Sequence, residues 1–343
     1  MEDDSRRLYP LRFVTEGDDR PWGHQSYHLA DLGFRESMVK EGWLGGSTLS
    51  EVMETYLERI VGDDVFEFYG TQFPLMVKTL DIKGRLPLMV NVPDDVAFER
   101  YDSLGKAALW YVRDAGPDSV IYLGFSRDID AGELYRRISD GTLEDVLNAV
   151  HPHAGDAFLL SPGLVFSAGH GLKLVEISES SELSFNLFNW GEPFPEGEDS
   201  LLEEALDIID YSGKEVHPIT SGTLAGIPEF HVTRIDLSAA LHISSEQPGS
   251  FTVYFCPAGE ASVQVREESG SLKEHIISEG QCLLLPSELT DFFLVPLKPG
   301  TVLLEALVEH RVVLDEYTGE EAKASDSFEA DDSVPDPHVK TWS

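Results

Sequence analysis

The histidines, the two cysteines and a large excess of carboxylates are the residues from which this 343-residue chain could build a reactive centre. His24 and His28 stand four apart, a spacing that would put both imidazoles on one face of a helix, where they could share a metal ion. The surrounding glycine and proline argue against a helix, so residues 8–30 read as a short strand and a loop, and the pair as structural or incidental. His151 and His153 would be ligand partners on a strand, but Pro152 between them makes a turn. His170, flanked by Gly169 and Gly171, also reads as no ligand. Met89 and Asn91 are two apart on a strand-like run and so point to the same side, the geometry with which two side chains grip one ion. A thioether and a neutral amide are poor partners for zinc, which prefers thiolate, imidazole and carboxylate. Cys256 and Cys282 lie in the apolar runs FTVYFC and CLLLP, and read as buried free thiols.

The elements that must position these groups are short strands bounded by Gly and Pro, the mark of an antiparallel barrel or jelly roll. Phe73–Val92 carries two strands around Asp81-Ile82-Lys83-Gly84, and Gly105–Phe125 two more around Ala115-Gly116-Pro117-Asp118. In the run Lys173–Ile177, Lys173, Val175 and Ile177 share one side, and Leu172, Leu174 and Glu176 the other. Thr48 with Glu51 forms a capping box, and apolar residues from Leu49 to Val61 recur with helical period. Asp130 with Glu133 and Thr142 with Asp145 predict two short helices in 130–150, and Ser200 with Glu203 predicts another from Leu201 to about Ile209. Residues 212–228 read as an aperiodic linker. Beyond it come the strand-like runs 232–235, 251–256, 262–265, 282–285 and 302–308. Gly280–Pro286 echoes Gly155–Leu160 and the proline after it, which suggests an internal repeat.

Against 62 acidic residues stand only 25 basic ones, a formal charge of −37. Such a field repels nucleic acid and anionic lipid, which excludes both as partners. It suits either a solvated surface in a salt-rich cytoplasm or a face that recruits a basic partner. No signal-like N-terminus and no long apolar run is present, so a cytoplasmic protein is expected.

The stretch GDAFLLSPGLVFSAGHGLKLVEISESSELSFNLFNWGE, residues 155–192, resembles the core of type I mannose-6-phosphate isomerase, a zinc-dependent cupin. Phe73–Lys78, Leu104-Gly105-Lys106, Trp110-Tyr111-Val112, Tyr122–Phe125, Ser180-Ser181 and Trp190-Gly191 match in order. The resemblance implies a mainly β fold of two cupin, or jelly-roll, barrels with a few inserted helices. It divides the chain into an isomerase-like domain over 1–190, an acidic helix and linker over 191–228, a second barrel over 229–312, and an acidic tail over 313–343 expected to be largely disordered. It implies zinc ligands at Met89, Asn91, Ala108 and Phe166, and an arginine at Asn186; none of these positions carries the family's residue. Lys106 matches a lysine tied to proton transfer or substrate contact, and Asn91, Lys106, Glu176 and Asn186 would be the polar groups left in the cavity. No cofactor is expected, unless the zinc site is rebuilt from neighbours. Three functions follow: a degenerate homologue that binds or responds to a sugar or sugar phosphate, an active aldose–ketose isomerase, or a structural or partner-binding protein with a filled cavity.

Overall fold

The structure, a computed structural model, describes residues 6–245, 249–267 and 270–309. The chain opens with the hairpin β1 (Glu16–Arg20) and β2 (Gly23–Leu29), followed by three helices, α1 (Leu49–Tyr56), α2 (Glu58–Val61) and α3 (Asp63–Tyr69). Next come β3 (Leu75–Ile82), β4 (Leu88–Asn91), α4 (Asp94–Tyr101), β5 (Ala108–Ala115), β6 (Val120–Phe125) and α5 (Ala131–Ser139). Strands β7 (Leu147–Val150), β8 (Ala157–Leu160), β9 (Val165–Gly169), β10 (Leu172–Glu179) and β11 (Ser184–Phe188) complete the first half, and the short α6 (Leu202–Ala205) follows. The second half contains β12 (Gly222–Gly226), β13 (His231–Leu237), β14 (Leu241–Ser244), β15 (Thr252–Ala258) and β16 (Glu260–Arg266). It ends with β17 (Leu272–Ser278), β18 (Cys282–Leu285), β19 (Asp291–Pro296) and β20 (Thr301–Leu307).

These strands make four antiparallel sheets, in the orders β1-β2-β3-β10-β5-β8, β11-β4-β9-β6-β7, β12-β13-β20-β15-β18 and β14-β19-β16-β17. The first two sheets face each other across Leu80, Trp110, Leu174, Ile121, Phe166 and Ala168; the last two do so across Tyr254, Leu303, Val263 and Leu294. The expected pair of jelly-roll barrels is therefore present. The suspected repeat is visible in the sheet orders: β3-β10-β5-β8 has the arrangement of β13-β20-β15-β18. The echoing segments, β8 and β18, are the corresponding edge strands.

Alternation decides which side of each strand faces which core. On β10, Leu172, Leu174 and Glu176 share one side, as the sequence predicts, and that side faces into the first barrel, while Val175 and Ile177 face outward. That outward face is not solvated. It packs with Leu109 and Tyr111 against α1–α3 and against Val232, Phe255, Leu304 and Ala306 of the second barrel, in one continuous apolar layer. Each such fully buried aliphatic side chain contributes about 1.5–3 kcal/mol. Residues 8–13 run across the same layer, where Leu11 pairs its backbone with Leu284 on the free side of β18.

Helix α1 carries the predicted capping box: Thr48 Oγ1 accepts from Glu51 N, and Glu51 accepts from Thr48 N. The periodic run to Val61 is not one helix, because Leu57 adopts a φ of 47° and separates α1 from α2. Several other expectations need correction. His24 and His28 lie on strand β2, not in a loop. Asp130 does cap α5, but Thr142 makes no cap; a 3₁₀ turn, Leu143–Val146, leads directly into strand β7. The acidic helix is only Leu202–Ala205, and the Ser200 hydroxyl donates to Leu187 O instead of capping it in the expected way. The stretch read as aperiodic linker contains β12, paired with β13. The two strands read within Phe73–Val92, and the two within Gly105–Phe125, are present but do not pair with each other, since in each case the chain crosses from one sheet to the other. The acidic tail lies outside the described residues.

Candidate functional site

Crossing between sheets is what assembles a site here. β3, β5 and β10 lie side by side in one sheet, and their inward residues meet β4, β9 and β11 of the other. The space between them is a cavity of about 200 Å³ at one end of the first barrel. Lys78 comes from β3, Lys106 from the turn before β5, and Glu176 from β10; Glu182 follows that strand. Lys78 Nζ lies 3.1 Å from Glu176 Oε1 and 2.8 Å from Glu182 Oε1. Lys106 Nζ lies 3.3 Å from Glu176 Oε1 and 3.5 Å from Glu182 Oε2. Two ammoniums and two carboxylates thus alternate around a ring. The side chains of Lys78, Lys106 and Glu176 are only 4–6% exposed, and Glu182, at 27%, forms the rim.

Burial of that degree would drive the carboxyls towards their neutral form. The ammoniums outweigh it. Lys106, Lys78 and a 2.8 Å hydrogen bond from Trp110 Nε1 hold Glu176 well below the usual carboxylate range. Lys78 and Lys106 hold Glu182 down to about 2 against its own burial and the repulsion of Glu176. Burial opposes the charge on Lys78, but Glu176, Glu182 and Tyr27 keep its proton bound well above the ordinary lysine range. Tyr27 donates to Glu182 at 3.0 Å and is pushed up to about 12 by burial and by that carboxylate. Glu176, Glu182 and Lys78 are therefore charged at neutral pH.

Beside the ring the lining is mixed. Leu80, Met89 and Phe166 form an apolar floor, with the Phe166 ring set edge-on to Trp110 at 5.4 Å. At the mouth, Arg20 Nη1 is 3.2 Å from Glu198 Oε1, and Asn186 Nδ2 donates to the same carboxylate at 3.4 Å. With its amide oriented to satisfy its neighbours, Gln25 accepts from Arg20 Nε and Nη2 at 3.2 Å.

Lys106, Glu176 and Asn186 are thus brought together as expected. Asn91 is not. It is fully buried behind the lining, where its Oδ1 accepts from the Ser184 hydroxyl at 2.7 Å, and it is Ser184 that faces the cavity. Lys78, Glu182 and Arg20 were not singled out in the sequence, where lone charged residues look like solvated surface. For Lys78 the usable signal is its inward place on β3, in the matched Phe73–Lys78 run.

The positions where the resemblance expects zinc do not fit that ion. Phe166 presents a hydrocarbon ring, Ala108 has no donor atom, and Met89 offers a thioether. The Asn91 oxygen is engaged, and its Nδ2, a hydrogen-bond donor, is buried without an acceptor among the described residues. No group of three His, Cys, Asp or Glu side chains among the described residues is placed to hold a metal ion. The histidine pairs also lie apart. Residues four apart on a strand are separated by roughly 13 Å. Accordingly His24 pairs with Asp19, while His28 is buried against Thr79, where desolvation lowers it to about 4. His151 bonds to Ser119 O, and His153 is exposed.

No family model matches the chain. It is 25% identical over 313 residues to the mannose-6-phosphate isomerase ManA of Bacillus subtilis, covering 82% of this chain and 95% of that protein. A mannose-6-phosphate isomerase of Streptococcus mutans is 24% identical over 262 residues, 73% of this chain and 78% of that one. Among solved structures, the mannose 6-phosphate isomerase of Bacillus subtilis superimposes with a TM-score of 0.74 at 19% identity, over 87% of this chain and 99% of that one. A putative mannosephosphate isomerase from Archaeoglobus fulgidus gives 0.71 at 18%, over 88% and 97%. The chain is a homologue of the mannose-6-phosphate isomerases, built on their cupin-type β fold.

Proposed function

We propose that this homologue is catalytically degenerate and that its first-barrel cavity binds a sugar or sugar phosphate. The observation that carries the reading is the chemistry of the cavity wall. Where the resemblance expects ligands, the wall offers the Phe166 ring and the Met89 thioether, and behind it stand the Ala108 methyl group and an Asn91 amide already in use. A metal in such a site acts as a Lewis acid worth several kcal/mol. Lys106 is the retained polar group nearest that role, yet its ammonium is engaged with Glu176 and Glu182. The cavity nevertheless remains open, with hydrogen-bonding groups around its rim, which favours a binding role over a purely structural one.

The test joins elemental analysis of protein purified without chelator to mannose 6-phosphate turnover on the same sample. Turnover is expected to lie at least roughly 10²–10³-fold below that of an active relative, the scale of losing one stabilising donor. Stoichiometric zinc, with isomerase activity abolished by a chelator, overturns the degenerate reading and makes the protein an isomerase.

A further inference from the structure

We infer that the cavity takes an unphosphorylated saccharide, a neutral hexose unit, in preference to a sugar phosphate. The inference rests on the carbohydrate-binding reading above and narrows it to a ligand class. A phosphate dianion needs an uncommitted cation, because charge-assisted hydrogen bonds must replace its hydration. The cavity has three cationic side chains, Arg20, Lys78 and Lys106, and each is already matched by a carboxylate. Lys78 and Lys106 are enclosed between Glu176 and Glu182, and Arg20 is held by Glu198 and the Gln25 carbonyl. Lys106 lies 3.3 and 3.5 Å from the two ring carboxylates, so a phosphate reaching it would displace or approach them at like charge.

Asn186 has the same consequence. It contributes a neutral amide at the rim, with one N–H directed at Glu198, and adds no positive charge. The field outside reinforces this, since a chain of formal charge −37 disfavours the approach of a dianion.

A neutral sugar meets none of these penalties. Its hydroxyls both donate and accept, so they can bridge the Glu182 carboxylate and the Ser184 hydroxyl without breaking an ion pair. The half-buried Trp22 at the mouth offers an apolar face for the C–H side of a pyranose ring. About 200 Å³ is below the roughly 300–1,000 Å³ of drug-sized pockets, which suits one sugar unit.

Tryptophan fluorescence or calorimetric titration with D-mannose, methyl mannoside, D-fructose and mannose 6-phosphate tests the inference. At least one neutral sugar is expected to bind about tenfold or more tighter than mannose 6-phosphate, at low and at moderate salt. Glu198→Gln, which releases Arg20 at the mouth, should raise mannose 6-phosphate affinity about tenfold while changing that of the neutral sugar far less. Tighter binding of mannose 6-phosphate to the unaltered protein overturns the neutral-ligand inference but leaves the carbohydrate reading standing. Absence of binding by all four compounds at millimolar concentration overturns both. A Glu198→Gln protein with no gain for the phosphate, in a fold shown intact by circular dichroism, overturns the charge-matching argument on which the inference is built.

Discussion

Lys78 is the keystone of the ionic ring, and Lys78→Met measures what the ring contributes. The ammonium lies 3.1 Å from Glu176 and 2.8 Å from Glu182, with its side chain only 4% exposed. At an effective dielectric of about 20, each such contact has a gross Coulomb energy of roughly 5 kcal/mol, most of it offset by desolvating the ions. Methionine fills similar space but leaves two carboxylates sharing Lys106 alone. Removing one partner of a buried pair typically costs about 3–5 kcal/mol, because the orphaned charge stays buried. The remaining lysine places this site near 3 kcal/mol at pH 7. In the variant a carboxyl can relieve the imbalance by taking a proton, so the deficit should shrink as pH falls from 7 to 5. The double variant Lys78→Met/Glu182→Gln should recover about 1 kcal/mol or more relative to Lys78→Met, as expected for coupled neighbours. Equilibrium urea denaturation at both pH values is the assay. A loss below about 1 kcal/mol at pH 7, or one independent of pH, would refute the picture of a buried, charge-paired ring.

In the unaltered protein the sign of the acid response follows from the depressed carboxyls. Glu182 falls from an ordinary 4.5 to about 2, so its contribution, on the order of 3 kcal/mol, is complete above pH 4.5 and is lost as pH drops through about 2. Stability measured between pH 6 and 2 should fall within that window; a flat profile there contradicts it. Gly62 has a φ of 92°, and an added Cβ would lie 2.0 Å from Gly249 O. Gly62→Ala should therefore cost more than about 2 kcal/mol in the same urea assay, and a loss below about 0.5 kcal/mol would show that the turn relaxes freely.

The sequence exposes what is local. The Thr48–Glu51 capping box, the Asp130 cap and the alternation along β10 all depend on residues a few positions apart, and each appears as read. What it hides depends on distant partners. No helix is read in the sequence at Pro93-Asp94-Asp95, yet Pro93 is the N-cap of α4 and the aspartates fill its first turn. Nothing near Leu57 announces its φ of 47°, with which it ends α1. Lys78 and Glu182 are more than a hundred positions apart, and only the β3–β10 pairing makes them partners. Asn91 shares a strand face with Met89, but its cross-strand partner Ser184 engages its Oδ1 and is the side chain that lines the cavity.

The apolar layer shared by the two barrels divides the first one into two mutational territories. Substitutions on its inner wall, such as one at Phe166, bear on the cavity and on the first barrel's own core. Substitutions at outward residues of β5 and β10, Leu109 or Val175, reach the partner barrel as well. A severed second barrel would present a bare hydrocarbon sheet and, without residues 8–13, an unpaired β18 edge ready to recruit other chains. Covering that sheet and that edge is a demand on the outer face of the first half of the chain, and it does not depend on any chemistry inside the barrel.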